Sequence, residues 1–162
     1  MILTLGGGRG DGAVRGVGGV AMLQPAVTGT QHGVYVTNEQ GRIYAFLQKP
    51  SLSELSASGG LLKNDQVALD TGLLRFAPEA AARLTELAGV TEAGGRIALA
   101  PGMIERSVDT DGKPVAIDLY EHVTMALTGQ WTPGPQDAPA LHALAGALKD
   151  MPFWCSVVAG DF

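Results

Sequence analysis

Two short polar clusters interrupt apolar surroundings in this chain. Gln48-Lys49 ends the run Tyr44-Ala45-Phe46-Leu47 and is followed at once by Pro50. Asp70-Thr71-Gly72 sits inside "VALDTGLLRF". A lysine at a strand end can neutralise a phosphate as a point charge. An Asp-Thr-Gly offers a carboxylate and a hydroxyl to the hydroxyls of a sugar, and its glycine lets a ligand approach the backbone. In an open α/β sheet, ligands bind beyond the carboxyl ends of the strands, and both clusters read as strand ends. The plainer reading is that strand ends also carry Lys and Asp for solubility.

Other chemistry is thinly represented. His32, His122 and His142 are scattered, with no second His, Cys or carboxylate at metal-ligand spacing. His142 reads as structural, on a helix face, and His32 stands just before a predicted hairpin. The single cysteine, Cys155, excludes an internal disulfide and a Cys-based zinc site within one chain. No Gly-x-Ser-x-Gly elbow is present. The tract "GGGRGDGAVRG" misses the dinucleotide spacing G-x-G-x-x-G. Gly7 and Gly12 match P-loop glycines, but Ala13-Val14 stand where Lys-Ser/Thr must be. Without that lysine the loop cannot hold β- and γ-phosphates, so residues 6–19 are expected to be a flexible loop.

The elements that must position the two clusters follow from turn and cap signals. "MILTL" reads as a short buried strand and "VAMLQP" (20–25) as a second apolar run. Val34–Thr37 and Arg42–Leu47 flank Asn38-Glu39-Gln40-Gly41, which makes a hairpin. Ser51-x-x-Glu54 is a capping box for a helix over about 52–58, closed at Gly59-Gly60. "VALDTGLLRF" (67–76) is a strand with a polar break, and Pro78 opens a helix closed by Gly89. A strand near Ile97–Ala100 and a turn at Asp111-Gly112 follow. Asp118 is placed to cap a helix ending at Gly129, with Leu119, Val123, Ala126 and Leu127 on its apolar face. Helix 140–150 and strand 153–160 close the chain. The alternation predicts an α/β fold: a mixed open sheet flanked by helices. An apolar strand near each terminus suggests a piece of a larger sheet, or a protomer that pairs with another chain.

Composition narrows the classes. A chain of 162 residues suits one domain with a sizeable core. With 46% apolar and 17% charged residues it is not a disordered tail. The net charge of −5 and the absence of a basic stripe argue against polynucleotide binding. No apolar run approaches the roughly 20 residues that span a bilayer, and no signal peptide is legible. A cytoplasmic setting is the expectation.

The segments "HGVYVTNEQGRIYAFLQKPSLSEL", "LDTGLLRF" with its following helix, and "DLYEHVTMAL" together resemble the L-fucokinase/GDP-L-fucose pyrophosphorylase family, in its fucose-1-phosphate guanylyltransferase region. Order and spacing agree over roughly residues 19–162. Phe-Leu-Gln-Lys-Pro-Ser with the following Asp-Thr-Gly is the most specific part. The pattern is also similar to sugar nucleotidyltransferases at large, whose strand-end Glu-Lys-Pro becomes Gln-Lys-Pro here. The resemblance implies a partial Rossmann-like nucleotidyltransferase core. It implies a sugar 1-phosphate and GTP as partners, Mg²⁺ as cofactor, and pyrophosphate release. By position, Lys49 would contact the sugar phosphate, while Gln48, Asp70, Thr71 and Gly72 would shape the sugar pocket. Asp118 would lie near that pocket at a helix start, and His32 fills a position where the family also has His.

The chain also departs from the pattern. The family's nucleotide-binding glycine loop precedes several further elements, whereas here the glycine tract lies about ten residues before the matching region. The expectation is therefore a single partial domain over 1–162 that supplies the sugar-1-phosphate half of the enzyme. The alternative is a non-catalytic sugar-phosphate-binding or interaction module derived from the same fold.

Overall fold

The structure, a computed structural model, describes residues 15–102 and 107–158. Its first strand, β1 (Val17–Pro25), takes in Val17-Gly18-Gly19, so the end of the glycine tract is buried strand rather than loop. The physical reason is close packing: a Cβ on Gly19 would come within 2.9 Å of the Tyr35 ring. Residues 1–14, with the glycines up to Gly12 and "MILTL", lie outside the described residues. A short helix, α1 (Ala26–Gly29), turns the chain into β2 (Gly33–Thr37), which forms the predicted hairpin with β3 (Ile43–Gln48). Asn38 Oδ1 accepts from the amides of Gln40 and Arg42, at 3.1 and 2.9 Å, and Gly41 takes φ +80°. The turn residues thus supply the left-handed position that the hairpin needs.

Helix α2 (Leu52–Ser58) carries the predicted capping box. Ser51 Oγ accepts from the Glu54 amide at 3.2 Å, and the Ser51 amide donates to Glu54 Oε2 at 2.7 Å. Gly59, at φ +77°, closes the helix. Ser51→Ala is expected to lower stability by about 1 kcal/mol, or a few degrees in Tm for a chain of this size. An unchanged melting temperature would show that the box contributes nothing.

Strands β4 (Gln66–Phe76) and β7 (Phe153–Val158) complete a five-stranded sheet in the order β3-β2-β4-β1-β7. β1 and β7 are parallel and every other pair is antiparallel. The mixed sheet is therefore as the alternation predicts. Its outer strands meet at one corner, where the Cys155 amide donates to the Gly41 carbonyl at 2.9 Å and Arg42 bridges Trp154. Strand period two sorts the side chains into two packed faces. Val34, Val67 and Leu69 pack with Ala26 of α1 and Leu55 of α2. On the opposite face the ring of Tyr35 lies 5.7 Å from that of Phe46 and 5.6 Å from that of Phe153, centroid to centroid. Each such aromatic pair adds about 0.5–1.5 kcal/mol beyond its buried area.

The chain divides into two compact units. One combines the described residues up to Ala77 with those from Pro152, and the other spans Pro78–Met151. The second unit contains α3 (Pro78–Leu87), opened by Pro78 as predicted. A hairpin of β5 (Val90–Ala93) and β6 (Arg96–Leu99) follows, turned at Gly94-Gly95. Helix α4, residues 119–127, opens as a wide π-type turn over Leu119–Thr124 and ends as the α-helical Met125–Leu127. Asp118 caps it as expected, its Oδ1 accepting from the amides of Tyr120 and Glu121 at 2.7 and 2.8 Å. Helix α5 (Pro139–Leu148) buries Leu141, Leu144, Ala145 and Leu148.

Candidate functional site

Strand β3 ends at Gln48, and the next residue departs from ordinary geometry. Lys49 sits at φ +48°, in the left-handed region that non-glycine residues rarely adopt. Its amide donates to the His32 carbonyl at 2.9 Å. That bond ties the end of β3 to the residue just before β2. The Lys49 side chain is exposed, and among the described residues it enters no ion pair. Left-handed backbone at a lysine costs about 1–2 kcal/mol, and such positions gather where a side chain must be aimed.

Gln48 points across the neighbouring strand. A Cβ built on Gly33 would come within 3.2 Å of Gln48 Oε1 and 2.5 Å of Phe46 Cζ. Glycine is thus required at position 33, because the Phe46 ring and the Gln48 amide occupy the space above it.

Asp70-Thr71-Gly72 lies elsewhere than expected. It is not a strand end: β4 runs through it from Gln66 to Phe76. The ladder with β1 pairs Ala21 with Asp70 and Val20 with Leu73, so Thr71 and Gly72 are the extra residues of a bulge. Local chemistry makes the bulge possible. Asp70 Oδ1 accepts from the Gly72 amide at 3.0 Å, Thr71 Oγ1 donates to the Val20 carbonyl at 2.8 Å, and Gly72 takes φ +72°. These bonds satisfy backbone groups that the ladder leaves open, so the strand resumes instead of stopping.

The strand register brings the two polar clusters together. Val34 pairs with Leu47 on one side and with Leu69 on the other. One residue back along β2, Gly33 pairs with Gln48, and one residue on along β4 from Leu69 comes Asp70. Gln48 and Asp70 thus flank the Gly33 end of β2, with the Phe46 ring packed over that glycine. Both lie on the face that carries Tyr35 and Phe46. Lys49 follows Gln48, and His32 precedes Gly33. Of the residues singled out in the sequence, His32, Gln48, Lys49 and Asp70 thus share one margin of the sheet. The hydroxyl of Thr71 and the amide of Gly72 are engaged in the bulge beside them. Asp118 belongs to the second unit, where its backbone amide also donates to His122 Nδ1 at 2.9 Å.

Two neighbours of Asp70 carry no motif of their own. The Tyr35 hydroxyl donates to Asp70 Oδ1 at 2.5 Å. Its one legible signal was period two, which puts Tyr35 on the same face as Gly33. Asp70 is 9% exposed. Burial pushes its carboxyl above the ordinary 3.8, against the pull of the Tyr35 and Gly72 hydrogen bonds. Cys155 of β7 feels that charge: burial and the Asp70 carboxylate push its thiol up to about 11. Cys155 is therefore expected to react slowly with iodoacetamide at neutral pH, with a rate rising about tenfold per pH unit until it nears that value. Asp70→Asn should lower the thiol pKa and speed the reaction. A wild-type rate that levels off near pH 9 would contradict this arrangement.

Among the described residues, no three His, Cys, Asp or Glu side chains come together in a set able to hold a metal ion. Asp70 stands in no such set, so it does not by itself make a Mg²⁺ site. No helix among the described residues is long and apolar enough to cross a membrane.

With this geometry in view, residues 10–135 match the family described as "Fucose pyrophosphorylase domain", well over half of the chain. A comparison with curated proteins finds no match.

Proposed function

The chain belongs to the fucose pyrophosphorylase domain family, and from that premise we propose that it serves guanylyl transfer to fucose 1-phosphate, with the Lys49 margin of the sheet as its sugar-phosphate side. In that reaction a phosphate oxygen of the sugar 1-phosphate attacks the α-phosphorus of GTP. The new P–O bond replaces the bond to the β-phosphate, and pyrophosphate leaves with the electron pair. No side-chain nucleophile is needed. The protein must hold two polyanions in line and neutralise their charge. Lys49 provides one cation for the sugar phosphate. Gln48 and Asp70 offer neutral and acidic hydrogen-bonding groups to the sugar ring on the same face.

The observation that carries this reading is the left-handed Lys49, anchored through its amide to His32 beside the Gly33–Gln48 pair. The family chemistry implies Mg²⁺, but the described residues do not form a fitting set of ligands, so no step is assigned to it. That same observation favours a second reading, in which these residues bind the sugar phosphate without turning it over.

Calorimetry separates the two. The chain is titrated with fucose 1-phosphate and then with GTP and Mg²⁺, while pyrophosphate is followed. Binding of both with pyrophosphate release supports the transferase. Binding of the sugar phosphate alone supports the half-site. Absence of sugar-phosphate binding overturns both.

A further inference from the structure

Asp70 has two carboxylate oxygens in unlike positions. Oδ1 takes both hydrogen bonds, from the Tyr35 hydroxyl and from the Gly72 amide. Oδ2 takes neither, and Asp70 as a whole keeps 9% of its surface exposed. The carboxylate is thereby fixed about its Cβ–Cγ bond, with Oδ1 held by Tyr35 and Gly72 and Oδ2 left to accept from a further donor. By strand alternation Asp70 lies on the face of the sheet that also carries Tyr35 and Gln48. An acceptor held this way suits a ligand hydroxyl and repels a phosphate, which leaves the phosphate to Lys49 after β3.

We infer that Tyr35 is a positioning residue for sugar recognition: by holding Oδ1 it aims Asp70 Oδ2 at a hydroxyl of the bound sugar phosphate. This rests on the functional reading above. Tyr35 itself is 2% exposed, wedged between Phe46 and Phe153, and does not reach the ligand. The rigidity of that aromatic packing makes it a fixed donor. A carboxylate swinging freely would have to be ordered at the moment of binding, at a cost in affinity.

The titratable groups that the structure sets against Asp70 are Tyr35 from β2 and Cys155 from β7, while β1 contributes Ala21 opposite it. The Tyr35 bond favours the ionised carboxylate, so its loss moves the Asp70 carboxyl further up. Binding that needs the carboxylate then fails at a higher pH on the acid side. A residue that merely supported the fold would leave that midpoint in place.

The test is calorimetric titration of the full chain with fucose 1-phosphate over a range of pH, for wild type, Tyr35→Phe, Asp70→Asn and the double variant. Tyr35→Phe is expected to weaken binding by about two- to tenfold, the cost of ordering one freed side chain on binding, and to raise the acid midpoint. Asp70→Asn should weaken binding and abolish the acid limb that Asp70 controls, and the double variant should be no weaker than Asp70→Asn. A Tyr35→Phe chain with wild-type affinity and an unmoved acid limb overturns the inference. So does an Asp70→Asn chain that binds as wild type, whether or not the Tyr35 variant folds. Both results presuppose wild-type binding that depends on Lys49; if that binding is itself missing, the functional reading fails and this inference falls with it.

Discussion

Replacing Lys49 with glycine is expected to stabilise the fold and, on the proposed function, to weaken sugar-phosphate binding. The two effects have separate physical origins. Lys49 holds φ +48°, which glycine adopts without steric cost, so the substitution should gain about 1 kcal/mol, less the extra entropy of glycine in the unfolded chain. The amide donor to the His32 carbonyl survives, because glycine keeps its N–H. What disappears is the ammonium. Losing a charge-assisted contact to a phosphate costs roughly 1.5–3 kcal/mol, so affinity for fucose 1-phosphate should fall by about 10- to 100-fold. Lys49→Met, which keeps the backbone strain and the side-chain length but not the charge, should lose affinity without gaining stability. Thermal melts and calorimetry on the two variants measure both effects. If Lys49→Gly binds the sugar phosphate as tightly as wild type, Lys49 is a loop charge and no more.

Gly33→Ala is the most damaging small substitution expected in the sheet. The added methyl would stand 2.5 and 2.7 Å from atoms of the Phe46 ring and 3.2 Å from Gln48 Oε1. Phe46 is fully buried and packs against Tyr35, so the ring cannot swing clear without opening the inner face. Overpacking of this kind costs about 1–3 kcal/mol, or several degrees in Tm. It also displaces Gln48, so on the proposed function binding should weaken with stability. Gly146→Ala is the contrast. It lies on the exposed side of α5, where a Cβ meets nothing within 4 Å, and should stabilise by about 0.5–1 kcal/mol. Equal melting temperatures for Gly33→Ala and wild type would show that the close approach is not real.

The sequence made the local elements readable because their causes are local. Ser51 and Glu54 are three residues apart and cap one helix end. Asn38 and Gly41 make one turn, and Asp118 reaches amides two and three residues ahead. Hydrogen bonds over such short spans depend on few other residues, so residue type and spacing predict them. The same short range exposed Lys49, since an apolar run ended by a lysine and a proline is visible without any partner strand.

Asp70-Thr71-Gly72 shows where that reasoning stops. Its residue types suggest a break, and a break suggests a strand end. β4 continues because the Val20 carbonyl, 51 residues away, accepts the Thr71 hydroxyl. The Tyr35 hydroxyl, 35 residues away, takes up Asp70. Neither partner can be named before the strand order is known.

The amino-acid sequence by itself determined the hairpin, the helix caps, the exposed lysine after β3 and the resemblance to a fucose pyrophosphorylase region, which the family match bears out. The tertiary structure alone decided that Gln48 and Asp70 share one face of the sheet, that Tyr35 holds one oxygen of Asp70, and that Cys155 lies within reach of its charge. The division follows from the register of strands. Turns and caps are closed by neighbours in the chain, whereas a face shared across strands is set by which apolar faces pack together. A shift of one residue in any strand would turn its side chains to the opposite face.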